Sequence, residues 1–198
     1  MAAVKIDPLK LTGPWAEGHV LERQHTISSE FIGHDSNGHA QFDTKRSELG
    51  ELVFRLKNRS DKATLDPIAD TAAEFVLASG IQFDSLVPVP PSRRRPFQPV
   101  VEITAALGAR LAKPVLMNLV AKVKETPELK DVFDFGERQK LLEGAFAIDK
   151  EAANGQRLLL IDDLYRSGAT AALVARELTA AGASVVYFLA MTKTRTRS

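Results

Sequence analysis

Two adjacent carboxylates, Asp162 and Asp163, follow an apolar run and precede a segment of small and hydroxylated residues. The run Leu158-Leu159-Leu160-Ile161 has no polar side chain, which is typical of a parallel strand buried on both faces. Ligands of open α/β sheets bind at the carboxyl ends of such strands. The pattern therefore predicts that Asp162 and Asp163 lie at a binding site, with Asp163 at an exposed strand end.

The segment Arg166 to Thr170 has the features of a phosphate-binding turn. Gly168 and Ala169 leave the backbone open to an anion, and Ser167 and Thr170 add hydroxyl donors. Backbone amides at the start of a following helix would point at that anion, whose charge the helix dipole favours. Because carboxylates can accept hydrogen bonds from sugar hydroxyls, the two features together predict a ribose 5-phosphate ligand.

The stretch from Leu158 to Thr170 resembles the signature of type I phosphoribosyltransferases: an apolar strand, two Asp, three variable residues, Thr or Ser, Gly, a small residue and Thr. Over about residues 49–198 the chain is similar to the ComF-like, competence-associated branch of that family. Three further segments carry this similarity: Leu56-Lys57-Asn58-Arg59; Val87-Pro88-Val89-Pro90 with Ser92-Arg93-Arg94-Arg95; and Arg138 with Gly144-Ala145-Phe146. The departures from the branch are the missing four-cysteine zinc ribbon, Pro96-Phe97-Gln98-Pro99 in place of Gly-Phe-Asn-Gln, Leu141 in place of Asn, and Arg166 in place of Thr.

This resemblance implies an α/β fold in which a parallel sheet is flanked by helices, and it implies phosphoribosyl diphosphate (PRPP) as the ligand. Asp162 and Asp163 would then hold the ribose 2′ and 3′ hydroxyls at the catalytic centre. The implied cofactor is Mg2+, held near Asp162 and Asp163 through ribose hydroxyls or water. The resemblance also implies which residues bind the two phosphate groups. The 5′-phosphate would be bound by Arg166, Ser167, Gly168, Ala169 and Thr170, and the diphosphate by Arg93, Arg94 and Arg95. A mobile loop would contain Lys122, Lys124 and Arg138.

The implied activity is transfer of a phosphoribosyl group from PRPP to an acceptor that the sequence does not identify. The alternative is a non-catalytic protein that responds to PRPP or a nucleotide and acts with a DNA-processing partner such as a helicase. No general base is identifiable, so the sequence does not choose between the two functions. The formal charge of +1 indicates that any nucleic-acid affinity would come from local basic clusters.

Other classes of protein also place carboxylates after an apolar strand. A P-loop NTPase would need an upstream Gly-x4-Gly-Lys-Ser/Thr, and the nearest string, Gly13 to Gly18, lacks the Lys. A response-regulator receiver carries its acidic pair after its first strand, whereas most of this chain precedes Asp163. The carboxylates could also cap a loop, although adjacent charges repel each other and usually need a cation or hydroxyl partner. Two further structural interpretations stay open: a solvated loop at Arg93 to Arg95 and a solvated linker at Lys122 to Lys140.

Composition limits the class of protein. At 198 residues, with 44% apolar and 26% charged residues, the chain suits one α/β domain with an extension. The absence of Cys excludes disulfides, a thiol nucleophile, zinc ribbons and iron–sulfur ligation. No signal-peptide core and no run of about 18 apolar residues occurs, so a soluble, cytoplasmic protein without membrane contact is expected. His34 and His39 lack a recognisable metal-ligand pattern and are interpreted as surface residues.

The elements that must position these residues follow from the spacing of apolar side chains. Residues 1–45 are the predicted extension, with a β-hairpin that turns at Asn37-Gly38 and could cover the site, and residues 46–198 are the phosphoribosyltransferase-like domain. Helices are predicted at about residues 47–57, 66–80 and 169–181, with one more carrying Ile103, Leu107 and Leu111. Strands are predicted at residues 86–89, 115–119, 157–161 and 185–191. Their alternation with helices predicts a parallel sheet.

Overall fold

The computed structural model of the protein describes residues 3–91, 96–124 and 144–194. Its strands are β1 (Leu9–Lys10), β2 (Glu17–Glu22), β3 (Thr26–His34), β4 (Ala40–Arg46), β5 (Ser85–Pro88), β6 (Val120–Lys122), β7 (Phe146–Ile148), β8 (Arg157–Tyr165) and β9 (Val185–Lys193). Its α-helices are α1 (Glu48–Arg59), α2 (Leu65–Ser79), α3 (Pro99–Leu111), α4 (Lys150–Ala153) and α5 (Ala169–Ala180). A short 3-10 turn, Lys62–Thr64, links α1 to α2.

A five-stranded sheet forms the centre of the fold, in the order β1-β2-β9-β8-β5. Strands β2, β9, β8 and β5 run parallel, whereas β1 is antiparallel to β2. Strand β8 lies between β9 and β5, and its residues Leu158 to Ile161 are fully buried, as the apolar run predicted. Because helices pack on both faces of this mostly parallel sheet, the predicted α/β architecture is confirmed.

The pleat of β8 divides the core into two apolar layers. Leu158 and Leu160 pack in one cluster with α5, where Val174 and Leu178 are also buried. The alternate residues of β8 pack in a second cluster with helices α1, α2 and α3. Successive residues of β8 therefore contact different helices, as expected for side chains that alternate across a strand.

Local signals in the sequence set the ends of the helices. Helix α1 begins after Ser47, whose hydroxyl accepts a hydrogen bond from the amide of Gly50 at 3.1 Å, and it ends at Ser60 in the left-handed conformation. Helix α2 ends at Gly80, which has a φ of +70°. The predicted helices are confirmed to within two residues at each end. None of the helices in the described ranges combines the length and the apolar surface needed to cross a membrane.

The strand predicted at residues 115–119 is wrong. Only Val115 pairs with the sheet, in a single bridge to Leu86. The chain then turns, and β6 begins at Val120 and pairs with β7 in a separate two-stranded sheet. The apolar run was misleading because Leu119 and Val120 are buried by packing in the α5 cluster without joining the central sheet.

The N-terminal part of the chain contributes both to the central sheet and to a hairpin. Strands β1 and β2 extend the sheet beyond β9, whereas β3 and β4 form the predicted hairpin. At its turn the Asp35 carboxylate accepts hydrogen bonds from the amides of Asn37 at 2.8 Å and His39 at 2.9 Å. Phe31 and Phe42 stand opposite each other on this hairpin, and each is more than half exposed. The hairpin is thus confirmed, while a domain boundary at residue 45 stays a prediction.

Leu160 and Leu77 offer a matched test of the core. Leu160 is fully buried in β8, whereas Leu77 on α2 is 72% exposed. Leu160→Ala is expected to lower the free energy of unfolding by about 2 to 5 kcal/mol, because it removes buried surface and leaves a cavity. Leu77→Ala should lower it by less than about 0.5 kcal/mol. Denaturant titration measures both values, and equal losses would contradict the central position of β8.

Candidate functional site

The acidic pair lies inside strand β8, near its carboxyl end. The strand continues to Tyr165, which pairs with Lys193 of β9, and so runs four residues beyond its predicted end at Ile161. The prediction was wrong because β9 extends alongside, so that backbone hydrogen bonds continue past the two carboxylates. Alternation along the strand places Asp162 on the α5 face and Asp163 on the α1 face.

Asp163 is buried and paired with a lysine of α1. The Nζ atom of Lys57 lies 3.0 Å from Oδ1 and 2.9 Å from Oδ2 of Asp163. The side chains of Asp163 and Lys57 are only 12% and 31% exposed, so the prediction of an exposed strand-end carboxylate is wrong. Sequence reasoning gave Lys57 no role, although a signal existed: Lys57 follows the buried Val53 by one helical turn, at the border of the apolar face of α1.

Asp162 is half-buried on the other face of β8, where its charge is disfavoured. Its Oδ1 accepts a hydrogen bond from the amide of Asp163 at 2.8 Å. The pKa of Asp162 is raised from the usual 3.8 to about 7. The main cause is loss of hydration, and the second is the negative charge of Asp163. The positive charge of Lys57 partly opposes this rise. Near neutral pH Asp162 therefore carries a proton for part of the time.

The predicted phosphate-binding turn lies where β8 leads into α5. Gly168 precedes the helix in the left-handed conformation with a φ of +74°, and Ser167 Oγ is 3.4 Å from the amide of Ala169. Arg166 is exposed and Thr170 is half-buried. Among the α-helices of the described ranges, α5 is the one whose first turn carries no acidic side chain. The positive end of the α5 dipole is therefore not neutralised by a side chain of its first turn, and such a helix start is suited to binding a phosphate.

Tyr165 forms one wall of this turn. A Cβ atom at Gly168 would lie 2.5 Å from Cε2 and from Oη of Tyr165, so a side chain at position 168 would require the tyrosine ring to move. The centre of the tyrosine ring is 5.9 Å from that of Phe188, and burial raises the pKa of the tyrosine hydroxyl. Sequence reasoning treated Tyr165 as a variable position, whereas in the structure its ring crowds residue 168, where the positive φ also favours glycine.

A histidine from the N-terminal part of the chain reaches the same edge of the sheet. The amide of His25 donates to the carbonyl of Lys193 at 2.8 Å, and its Nδ1 lies 3.0 Å from Oγ1 of Thr192. The pKa of His25 is lowered to about 4, mainly by burial and then by the positive charges of Arg46 and Lys57. His25 is therefore neutral near pH 7. No local pattern in the sequence pointed to it, because its partners are distant in the chain.

The remaining predicted residues belong to a separate sheet, follow it in the chain, or fall outside the described ranges. Lys122 is the last residue of β6 in the separate sheet, and Lys124 follows it on the surface. The predicted residues outside the described ranges are Arg93, Arg94, Arg95 and Arg138. The chain that leaves β5 does begin beside the acidic pair, since the amide of Val89 donates to the carbonyl of Ile161 at 2.8 Å. The roles assigned to all these basic residues stay predictions.

The acidic pair offers a metal ion few direct ligands. Within the described part of the chain, no group of three or more His, Cys, Asp or Glu residues is arranged to hold a metal. Asp162 and Asp163 present the oxygen ligands that Mg2+ prefers, but both oxygens of Asp163 already contact Lys57. The pair therefore fits a magnesium ion that arrives with ligand oxygens and water. His34 and His39 are exposed on the hairpin, which confirms their interpretation as surface residues.

Comparison with known proteins gives a likeness in structure alone. No profile of a known family matches this chain, and no curated protein matches its sequence. The glutamine PRPP amidotransferase from B. subtilis, solved with ADP and GMP, superposes with a TM-score of 0.50 and 14% identity, over 79% of this chain and 34% of that one. This likeness confirms the predicted fold.

Two further solved structures resemble the chain less closely by TM-score. The adenine phosphoribosyltransferase from Leishmania tarentolae gives a TM-score of 0.49 at 12% identity, over 94% of both chains. The UMP synthase from Leishmania donovani gives 0.45 at 16% identity, over 83% of this chain and 28% of that one. The chain therefore spans about a third of the amidotransferase and little more than a quarter of the UMP synthase.

Gly168→Ala and Gly38→Ala separate crowding from backbone strain. Both glycines have a positive φ, +74° and +79°, so alanine should cost each roughly 1 kcal/mol in backbone conformation. Only at Gly168 must Tyr165 also move, because no atom lies within 4 Å of a Cβ at Gly38. We expect Gly168→Ala to lower the free energy of unfolding by about 1 to 3 kcal/mol more than Gly38→Ala. Chemical denaturation measures the difference, and equal losses would show that the ring does not limit the turn.

Asp162 and His25 should give opposite dependences of stability on pH. The pKa of Asp162 is raised to about 7, so the folded protein binds this proton more tightly and loses stability as pH rises from about 4 to about 7. The pKa of His25 is lowered to about 4 from 6.5, so stability is lost as pH falls through that interval. Relative to wild type, Asp162→Asn should gain stability toward pH 7 and His25→Gln toward pH 4. Denaturant titrations at about pH 4.5 and about pH 7 test both, and a reversed trend for either variant would contradict its pKa shift.

Proposed function

We propose that this protein binds PRPP and transfers its phosphoribosyl group to an acceptor. The observation that supports the proposal is the presence of two binding features on one strand-turn-helix unit. Asp162 and Asp163 lie in β8, and the turn at Gly168 leads into a helix whose dipole has no acidic side chain beside it. A ligand that satisfies both must carry hydroxyls and a phosphate about one sugar apart. A ribose 5-phosphate group has this chemistry.

The ribose would be held by the acidic pair. An ionised carboxylate has about four acceptor positions, and Lys57 occupies one on each oxygen of Asp163. The positions that remain can accept hydrogen bonds from the 2′ and 3′ hydroxyls. Asp162 is protonated for part of the time near neutral pH, so it can either donate to the sugar or accept from it. The turn from Arg166 to Thr170 would hold the 5′-phosphate with backbone amides and hydroxyl groups.

Transfer would follow from holding the sugar at both ends. As the bond between C1 and the diphosphate breaks, positive charge develops on the sugar and negative charge on the departing group. The carboxylates of Asp162 and Asp163 lie on the sugar side, where they stabilise the positive charge. When bound together with PRPP, Mg2+ would supply positive charge to the phosphate oxygens.

The basic residues assigned from the sequence complete the proposal. Arg93 to Arg95 would contact the diphosphate, which is supported by the position of Val89 at the start of the chain that leaves β5. Lys122, Lys124 and Arg138 would belong to a loop that closes over the ligand. We further propose that the chain belongs to the ComF-like branch of the phosphoribosyltransferases, because residues 56–59 and 87–95 resemble that branch.

The names of the similar structures agree with this ligand class. The B. subtilis amidotransferase is named for PRPP, and the L. tarentolae protein is named as an adenine phosphoribosyltransferase. Because this chain spans 34% of the amidotransferase, the activity of that whole enzyme is not transferred to it. The acceptor is therefore left as a nucleophile to be identified by assay.

Calorimetry with PRPP, diphosphate and Mg2+ tests the proposal. PRPP should bind more tightly than diphosphate, and Asp163→Asn should weaken PRPP binding about tenfold to a hundredfold, because it removes hydrogen bonds to a charged acceptor. Binding of diphosphate should change little. Asp43→Asn on the exposed hairpin serves as the control and should leave both affinities unchanged. If PRPP binds no better than diphosphate, with or without Mg2+, the proposed ligand is wrong.

Release of diphosphate then separates the two candidate functions. Incubation with PRPP and a panel of nucleobases should release diphosphate only in the presence of the correct acceptor. Tight PRPP binding without release for any acceptor would instead support the non-catalytic alternative, a PRPP-responsive protein that acts with a DNA-processing partner.

A further inference from the structure

We propose that Lys57 is a positioning residue, which fixes the carboxylate of Asp163 for hydroxyl recognition and so gives the site its preference for ribose over 2-deoxyribose. This inference rests on the proposed function, since it concerns the same sugar site. It adds a residue from α1 to a site that the sequence signature confines to β8 and the turn that follows.

The geometry of the contact is the first observation in its support. Lys57 Nζ is nearly equidistant from both oxygens of Asp163, at 2.9 and 3.0 Å. An ammonium group in this position holds the plane of the carboxylate as well as its location. It leaves about two of the four acceptor positions of Asp163 for other donors. A fixed carboxylate with acceptors to spare is what recognition of neighbouring hydroxyls requires.

The burial of the pair is the second observation. An exposed ion pair contributes little to stability and constrains its side chains weakly. Asp163 is only 12% exposed, so water competes little for its oxygens, and Lys57 is 31% exposed. Burying two charges costs hydration free energy, which the attraction between them does not always offset. A contribution to stability is therefore a weak explanation for the presence of this ion pair. A role in orienting the carboxylate accounts for the arrangement better.

The anchoring of α1 is the third observation. The apolar residues Leu49, Val53 and Leu56 of α1 are buried against the sheet, in the cluster that contains Ile161 of β8. The backbone of Lys57 is therefore fixed relative to β8, and its ammonium group reaches Asp163 from a rigid helix. A lysine on a surface loop could not define the orientation of the carboxylate to the same degree.

Titration of ribose 5-phosphate and 2-deoxyribose 5-phosphate, both without Mg2+, tests the role of Lys57. Wild type should prefer ribose 5-phosphate by about tenfold or more, because the 2-deoxy sugar lacks one hydroxyl that bonds to a charged acceptor. Lys57→Met keeps the unbranched shape and most of the length of the side chain but loses its charge, and should reduce this preference to about threefold or less. Lys57→Arg, which can contact both oxygens, should keep most of it.

Controls distinguish positioning from a general effect. Lys10→Met removes a positive charge on the exposed edge strand β1 and should leave the preference unchanged. Inorganic phosphate should bind wild type and Lys57→Met equally, because it contacts only the turn. If Lys57→Met does not fold, Lys57→Gln, which has a polar side chain without charge, is expected to show the same reduced preference.

The outcomes separate this inference from the proposed function. If wild type binds ribose 5-phosphate with the expected preference and the neutral Lys57 variants retain it, the positioning role is wrong while the proposed function stands. Equal weakening of both sugars in the variants would likewise overturn it, since it would show a merely structural ion pair. If wild type binds neither sugar phosphate, the proposed ribose site is wrong and the role of Lys57 falls with it.

Discussion

The arrangement of the site depends on the electrostatic cost of placing two neighbouring carboxylates, Asp162 and Asp163, on a buried strand. Each carboxylate of the pair loses hydration and repels the other. The two faces of β8 compensate for this in different ways: Lys57 contacts both oxygens of Asp163, whereas the pKa of Asp162 rises to about 7, so that a proton can neutralise it. The charge of the pair thus depends on α1, a helix formed about a hundred residues earlier in the chain.

That dependence extends to the N-terminal part of the molecule. The carbonyl of His25 lies so close to Gly50 of α1 that a Cβ there would be only 2.3 Å from it, and the side chain of His25 lies beside Thr192. The pKa of His25 is lowered, foremost by burial and then by the positive charges of Arg46 and Lys57. A neutral His25 adds no further positive charge near pH 7, so the lysine remains the cation in contact with Asp163. The chain before α1 therefore belongs to the setting of the site and does not merely precede it.

Some of this arrangement could be predicted from the sequence, because it depends on local chemistry. Helix starts, the hairpin turn and the strand-turn-helix unit around Gly168 are each specified by neighbouring residues, and the structure has them within a few positions. The strand predicted at residues 115–119 was wrong, since an apolar run does not reveal whether its residues pair in a sheet or only pack against one. The true end of β8 was missed for a related reason: the length of a strand depends on its partner β9.

Contacts between distant segments could not be predicted in the same way. Lys57 and Asp163 are 106 positions apart, and His25 and Thr192 are 167 positions apart. No periodicity links such pairs: the packing of α1 on the sheet brings Lys57 to Asp163, and the pairing of β2 with β9 brings His25 to Thr192. The sequence does show that Lys57 borders an apolar helix face, yet most lysines in that position extend their ammonium groups into water. The identity of its partner follows from the fold alone.

The start of α5 differs from the starts of the other described α-helices in how its first backbone amides are satisfied. Helices α1 and α4 satisfy amides of their first turns through the side chains of Ser47 and Asp149, and α2 and α3 carry an acidic residue there. A capping side chain stabilises a helix by about 1 kcal/mol relative to alanine, and glycine at the capping position is only slightly less favourable. In the described part of the chain, α5 is the α-helix whose start has neither a hydrogen bond from a capping side chain nor an acidic residue in its first turn, and there the Tyr165 ring crowds position 168. The side chains of its first turn therefore leave the positive end of this helix dipole without a negative charge, which is the electrostatic basis for proposing that a phosphate binds there.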